Sequence, residues 1–125
     1  MSTELRNIAE QSRYPIEAFF FVQEGLDFTV RRVHGDPTPQ DQPGDRHIDG
    51  HTLCLGLRDF ALQQYGLMAG CVLRRWCIRD CVDFGHIVFE MVDAGMMQKT
   101  ADDQIADFED VFDFDVAFDS PLQLS

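Results

Sequence analysis

The chain has little positive charge. Its 125 residues include 10 Lys and Arg against 22 Asp and Glu, which gives a formal net charge of −12. Contacts from Lys and Arg to phosphates supply most of the affinity of proteins that bind nucleic acid without regard to sequence. The composition therefore disfavours nucleic acid as a partner.

The few basic residues include two small clusters, Arg31 with Arg32, and Arg74 and Arg75 with Arg79. If the two clusters converged on one face, they would be the contacts of a nucleic-acid interface. We interpret them instead as solvated helix faces whose charge offsets nearby acidic residues.

Long hydrophobic runs are also absent. No apolar stretch approaches the roughly 20 residues that cross a bilayer. The N-terminus has no basic region leading into an apolar one, as a secretory signal would. We therefore expect no membrane association and a cytoplasmic location. In that reducing compartment, the four cysteines are expected to be small buried hydrophobic residues without disulfides.

Signature motifs of catalysis and cofactor binding are missing as well. The chain has no glycine-rich dinucleotide motif, no P-loop and no nucleophile elbow. The side chains that could in principle hold zinc are His47, His51, Cys54, Cys77 and Cys81. Their spacing matches no familiar zinc finger or ribbon. We predict no cofactor and no metal ion, and keep a thiol or metal enzyme as a minor alternative.

The apolar residues that are present recur at a spacing of three or four, which is typical of helices with one buried face. The length fits one domain, residues 1–125. We predict a mainly α, compact single domain of about five helices, at residues 3–12, 16–33, 50–64, 67–76 and 80–93. Between the second and third, residues 35–46 hold three prolines and two glycines and are predicted to be an exposed loop.

Polar residues and glycines mark several helix ends. Asp49 and Asp80 are predicted N-caps, and Gly66 and Gly95 are predicted to end the helices before them. The predicted inward faces of the second and fourth helices include Phe19, Val22, Leu26, Val30, Val33, Met68, Val72, Leu73 and Trp76.

Two alternatives remain open after Gly95. Residues 96–100 and 105–109 could pair as a small C-terminal β-hairpin, or the same stretch could begin a helix capped by Thr100. With the two preceding helices, a hairpin would give the order of a winged helix, so the middle of the chain is winged-helix-like. The helix that would read DNA, residues 80–93, holds four acidic residues and no Lys or Arg.

The stretch from 101 to 119 combines acidic and aromatic residues. It holds eight acidic residues, no basic residue and four phenylalanines. A purely solvating acidic tail has few aromatic residues. We predict that this acidic-aromatic segment packs on the domain, and keep a detachable interaction motif as the alternative.

Scattered residues also carry a family resemblance, over about residues 14–118. They are Tyr14, the FVQEGLDFT stretch at 21–29, His47, Gly50, Leu57-Arg58, Ala61-Leu62, Tyr65-Gly66, Met68-Ala69, Val72-Leu73, Trp76, Asp83-Phe84-Gly85, Ile87-Val88-Phe89, Lys99-Thr100, Asp103, Asp107-Phe108, Asp113-Phe114 and Ala117-Phe118. In these features the chain resembles a family of small bacterial hypothetical proteins, and the resemblance implies no activity. The family pattern usually has glycine at the position of Cys77, as a helix C-cap would. A left-handed cysteine there would cost about 1–2 kcal/mol.

These observations favour a non-enzymatic protein-interaction or regulatory module. Its partner would be an unidentified protein or a second copy of the chain, because Met and aromatic residues are enriched at protein interfaces. The candidate interaction surface is Met96, Met97, Phe108, Phe112 and Phe114. Met68, Met91 and Trp76 lie on the two predicted helices around the Cys77 turn, with core filling as the simpler role for Met91 and Trp76. The alternative function is a nucleic-acid- or ribonucleoprotein-associated protein with a winged-helix-like core.

Overall fold

The fold was obtained as a computed structural model that describes residues 2–41, 47–95 and 104–119. Its five α-helices are α1 (Ser2–Gln11), α2 (Ile16–His34), α3 (Gly50–Tyr65), α4 (Ala69–Arg75) and α5 (Cys81–Asp93). Three short turns of other helix types complete it: 3-10 turns at Gly66–Met68 and Ile105–Phe108, and a π-helical turn at Asp115–Asp119. The prediction of a mainly helical, compact fold is confirmed. None of the helices in these ranges is long and apolar enough to cross a membrane.

Side-chain caps define the starts of α3 and α5, as the sequence predicts. Asp49 accepts a hydrogen bond of 2.7 Å from the Thr52 backbone N–H. Asp80 and Asp83 form a capping box at α5, in which each carboxylate accepts from the other residue's backbone N–H. Such caps satisfy backbone donors that a helix start leaves free, and each contributes about 1 kcal/mol.

The pair α2 and α3 is the most extensive helix contact. Phe21 early in α2 lies against Tyr65 at the end of α3, whereas Thr29 late in α2 lies against Gly56. The two helices therefore run in opposite directions. At their closest approach, a β-carbon on Gly56 would overlap the buried Thr29 side chain, so this packing needs glycine.

The core is built from all five helices and the C-terminal region. Its largest fully buried side chains include Tyr14, Phe19, Phe84, Phe118, Leu57, Leu73, Ile78, Ile87 and Met91. Two predicted inward residues are corrected: Val33 is 50% exposed and Met68 is 59% exposed. Val33 lies in the last turn of α2, and Met68 ends a 3-10 turn in which no residue is buried.

The described part of the acidic-aromatic segment lies against α3, α4 and α5. The Phe108 ring fills the space beside two glycines: a β-carbon on Gly85 would lie 2.7 Å from its Cγ, and one on Gly50 would lie 2.8 Å from its Cε2. Phe114 and Phe118 are also buried, with ring centroids 5.0 Å apart. These rings complete the core, while the acidic side chains of Glu109, Asp110, Asp113 and Asp115 are exposed.

For the stretch after Gly95, the sequence was compatible with either a β-hairpin or a helix. The described residues contain no strand, and the expected return strand at 105–109 is the 3-10 turn Ile105–Phe108. Gln104 and Asp107 cap this turn, and Phe108 at its end is drawn into the core. The other expected strand, 96–100, and the alternative cap Thr100 lie outside the described residues.

Candidate functional site

The residues predicted to form the interaction surface differ in how far they are buried. Phe108 and Phe114 belong to the core, with 4% and 7% of their surface exposed. Phe112 is half-buried and stacks on Phe114 at 5.2 Å. Met96 and Met97 lie outside the described residues.

Three other large apolar side chains are strongly exposed in one region. Leu67 is 61%, Met68 59% and Val116 65% exposed. The 3-10 turn that carries Leu67 and Met68 contacts the π-helical turn that carries Val116. We call these three residues the apolar patch. One of them, Val116, belongs to the acidic-aromatic segment.

Local backbone geometry produces the apolar patch. Gly66 has a φ of +52°, where residues with side chains are rare, and it ends α3. The tight 3-10 turn that follows leaves Leu67 and Met68 exposed. At the π-helical turn that carries Val116, Asp113 accepts hydrogen bonds of 2.8 and 3.2 Å from the backbone N–H groups of Asp115 and Val116.

Sequence reasoning missed Leu67 and Val116 as surface residues. It placed residues 67–76 on one amphipathic helix, whereas the helix proper begins at Ala69. The signal was available: two large apolar residues directly follow a predicted helix-ending glycine, where a tight turn exposes side chains.

The two basic clusters do not converge. Arg31 and Arg32 lie in the last turn of α2, whereas Phe21, near its start, packs on Trp76 beside the second cluster at 5.7 Å. Ten residues of helix separate Phe21 from Arg31, or about 15 Å. The first cluster is also ion-paired: Arg31 lies 3.0 Å from Asp27, and Arg32 lies 2.7 Å from Asp59.

The most conspicuous polar cluster joins Arg13, Tyr14 and Asp83. The Tyr14 hydroxyl and the Arg13 guanidinium both donate to Asp83 Oδ1, the latter at 3.1 Å. The other oxygen, Oδ2, accepts from the Arg79 and Asp80 backbone N–H groups at 2.8 and 3.3 Å. Burial and the hydrogen bond to this carboxylate raise the pKa of Tyr14.

The Asp83 carboxylate is 7% exposed but fully engaged. It accepts hydrogen bonds from four donors, as a buried carboxylate requires. The cluster connects the chain before α2 to the start of α5, and we assign it a structural role.

A buried thiol pair lies between α3 and α5, which the sequence did not bring together. Cys54 Sγ lies 4.0 Å from the Cys81 carbonyl oxygen, and Cys81 Sγ lies 3.4 Å from that of Phe112. The interaction of the two thiols lowers the pKa of Cys81 to about 7 and, with burial, raises that of Cys54. Both are at most 2% exposed, so neither is open to a substrate in this conformation.

The other two cysteines, Cys71 and Cys77, are exposed, contrary to the expectation that all four are buried. Cys77 has a φ of +67°. Its N–H donates to the Arg74 carbonyl at 3.0 Å, and the Ile78 N–H donates to that of Leu73 at 2.9 Å. This pair of bonds is a Schellman motif, whose left-handed position is usually glycine.

The zinc candidates of the sequence are dispersed. His47, His51 and Cys77 are exposed, while Cys54 is buried beside Cys81. Among the residues that the structure describes, no three His, Cys, Asp or Glu side chains come close enough together to hold a metal ion.

Comparison with known proteins adds no relative. No family model, no curated protein and no solved structure matches the chain. The resemblance to small bacterial proteins therefore stays a prediction.

Proposed function

We propose that this protein is a non-enzymatic interaction module that docks a protein partner through its apolar patch. The observation that carries the proposal is the exposure of Leu67, Met68 and Val116 on two contacting turns. Scattered single exposed apolar residues are common on monomers, whereas larger contiguous apolar patches mark interaction sites.

Burial of the apolar patch alone is not sufficient for a stable complex. Burying the exposed parts of three such side chains would contribute about 3–5 kcal/mol before association costs. In affinity this corresponds to a factor of about 10² to 10⁴. The patch would therefore need flanking polar contacts to bind at micromolar concentration.

The polar groups support a non-enzymatic role. The Asp83 carboxylate accepts hydrogen bonds from Arg13, Tyr14 and two backbone N–H groups. The Cys54–Cys81 pair is buried. These are the arrangements in which a catalytic base or nucleophile would be expected, and each is explained by its contribution to the fold.

Comparative co-purification from cell extract tests the proposal. Val116→Asp introduces a charge into the apolar patch, and Val33→Asp makes the same change at a valine that is 50% exposed. Val33 lies at the opposite end of the α2–α3 pair, so it is a matched control. We expect one partner to be recovered with wild type and Val33→Asp and at least tenfold less with Val116→Asp. Equal recovery with all three would contradict the proposal.

Self-association is the second form that the interaction could take. Light scattering distinguishes self-association from binding of a different protein. A dimer mediated by the apolar patch would double the measured mass of wild type but not that of Val116→Asp. The net charge of −12 opposes dimerisation through like-charge repulsion, so we expect a monomer at low salt.

Nucleic-acid association, with a winged-helix-like pairing of α4 and α5, remains the second candidate. In its favour, Arg75 and Arg79 are exposed and have no ion-pair partner in the part of the chain that the structure describes. Against it, the basic clusters lie at opposite ends of α2. Titration with duplex and single-stranded oligonucleotides at low salt tests it, and micromolar affinity that falls steeply with salt would favour this function over the first.

A further inference from the structure

The Cys54–Cys81 pair has a chemistry that protein docking does not use. Cys54 lies in the second turn of α3, and Cys81 is the first residue of α5. Cys54 Sγ lies 4.0 Å from the carbonyl oxygen of Cys81, and the two thiols share a hydrogen bond. The two side chains therefore already meet between the helices, as the geometry of a disulfide requires.

Cys81 is the more nucleophilic thiol of the pair. The hydrogen bond from Cys54 lowers the pKa of Cys81 to about 7, and contacts with the backbone of Phe112 and Val111 act in the same direction. The position of Cys81 at the start of a helix also favours its thiolate. Since the thiolate is the form that reacts with oxidants, Cys81 is chemically suited to react near neutral pH.

A thin cover separates Cys81 from solvent. Its Sγ donates to the Phe112 carbonyl oxygen at 3.4 Å, and the Phe112 side chain is only half-buried. Residues 109–113, which include this cover, belong to no helix. Stretches outside regular helices open locally at a lower free energy than the core does. A molecule as small as hydrogen peroxide therefore reaches Cys81 when this stretch opens, while the helices stay folded.

We propose that Cys54 and Cys81 are a redox modification site, which a hydroperoxide converts into a reversible disulfide between α3 and α5. The Cys81 thiolate attacks one peroxide oxygen, the O–O bond breaks, and Cys81 becomes a sulfenic acid. The Cys54 sulfur then attacks the Cys81 sulfur and breaks its S–O bond. The two thiol protons leave with the departing oxygens, so two thiols are oxidised and one hydrogen peroxide is reduced to two waters. A small thiol such as glutathione reverses the reaction by exchange.

The disulfide would also loosen the acidic-aromatic segment. Its formation removes the Cys81 S–H that donates to the Phe112 carbonyl, and a covered carbonyl without a donor is unfavourable. Val116 of the apolar patch follows Phe112 by four residues. Redox control of docking therefore follows if the proposed function holds, whereas the disulfide itself does not depend on that function.

The test uses the purified full-length protein with Cys71→Ser and Cys77→Ser, because those two exposed thiols would react as well. The protein is treated with equimolar hydrogen peroxide near neutral pH and alkylated in denaturant, and its intact mass is measured. We expect both remaining thiols to be lost together, with the loss of two hydrogen atoms, a linked peptide containing Cys54 and Cys81, and full recovery with dithiothreitol. Two thiols that remain open to alkylation after excess peroxide, or Cys81 oxidised to sulfinic acid beside an intact Cys54, would overturn the proposal.

Matched alanine substitutions in the same background assign the two roles. In Cys54→Ala, Cys81 should stop at the sulfenic acid, which dimedone traps. In Cys81→Ala, oxidation of Cys54 should be at least tenfold slower than disulfide formation in the background protein. Equal rates would overturn the assignment of Cys81 as the attacking thiol. Mapping of the linked peptide needs neither substitution, so that result stands even if a variant does not fold.

Limited proteolysis then measures the attachment of the acidic-aromatic segment. We expect cleavage within residues 104–119 to be at least threefold faster in the oxidised protein than after dithiothreitol, and equal rates would overturn the link between the disulfide and the segment. Both measurements are made without a partner. Absence of the disulfide therefore leaves the docking function of the apolar patch intact, and failure of Val116→Asp to alter partner recovery leaves the disulfide intact.

Discussion

Replacing Cys77 by glycine should stabilise this protein, although it removes a side chain. Cys77 occupies the left-handed position of the Schellman motif that ends α4, with a φ of +67°. A residue with a β-carbon loses about 1–2 kcal/mol in this conformation, which glycine adopts without strain. The thiol is exposed, so removing it costs little packing.

The expected gain is smaller than the strain itself. Glycine also increases the conformational freedom of the unfolded chain, which costs about 0.4–1 kcal/mol. The net stabilisation by Cys77→Gly is therefore roughly 0.5–1 kcal/mol. For a domain of this size, that raises Tm by about 2–5 °C.

The assay is thermal and urea unfolding in reducing buffer, which prevents disulfide-linked dimers through exposed thiols. Cys77→Ala is the matched control, since it removes the thiol but retains the β-carbon. We expect Cys77→Ala to lie within about 0.5 kcal/mol of wild type, as surface substitutions usually do. An equal gain from alanine and glycine, or no gain from glycine, would refute the assignment of backbone strain to Cys77.

Two further substitutions test how the N-terminal and C-terminal regions are attached. Gly85→Ala places a β-carbon 2.7 Å from Phe108 Cγ, and we expect a loss of about 1–3 kcal/mol with faster proteolysis of the acidic-aromatic segment, whereas an unchanged melting curve would contradict this packing. Tyr14→Phe removes the hydroxyl that donates to Asp83 and should cost about 2 kcal/mol in urea unfolding, while the control Tyr65→Phe, which alters a half-buried ring, should cost less than half as much. The pKa of Tyr14 is raised in the folded state, so above about pH 10 the folded chain retains a proton that the unfolded chain loses. The free energy of unfolding should therefore fall as pH rises above about 10. Tyr14→Phe should reduce this fall, and a pH profile identical to that of wild type would contradict the raised pKa.

The sequence predicted most of the helices because their signals are local. Apolar spacing located α2, α3 and α5, and the caps Asp49 and Asp80 fixed two of their starts within a residue. The family resemblance also singled out Cys77 as a departure from glycine and left open whether the turn there differs or is strained; the backbone of Cys77 is left-handed.

Contacts between distant parts of the chain were not predictable in this way. The pairing of Tyr14 with Asp83 joins residues 69 positions apart, and helical periodicity carries no information about such a partner. Periodicity likewise carries no information about the packing of the Phe108 ring against Gly50 and Gly85. The exposure of Met68 was missed because the pattern was read as one helix across a tight turn.

Site-specific photo-crosslinking tests the central claim, that the apolar patch is a protein-docking surface, most directly. A photoreactive amino acid is placed at Met68 in one variant and at Val33 in another, and both are irradiated in living cells. The account predicts one discrete cross-linked species of higher mass at Met68 that Val116→Asp abolishes, and none at Val33. Equal cross-linking at the two positions, or none at Met68, would contradict it.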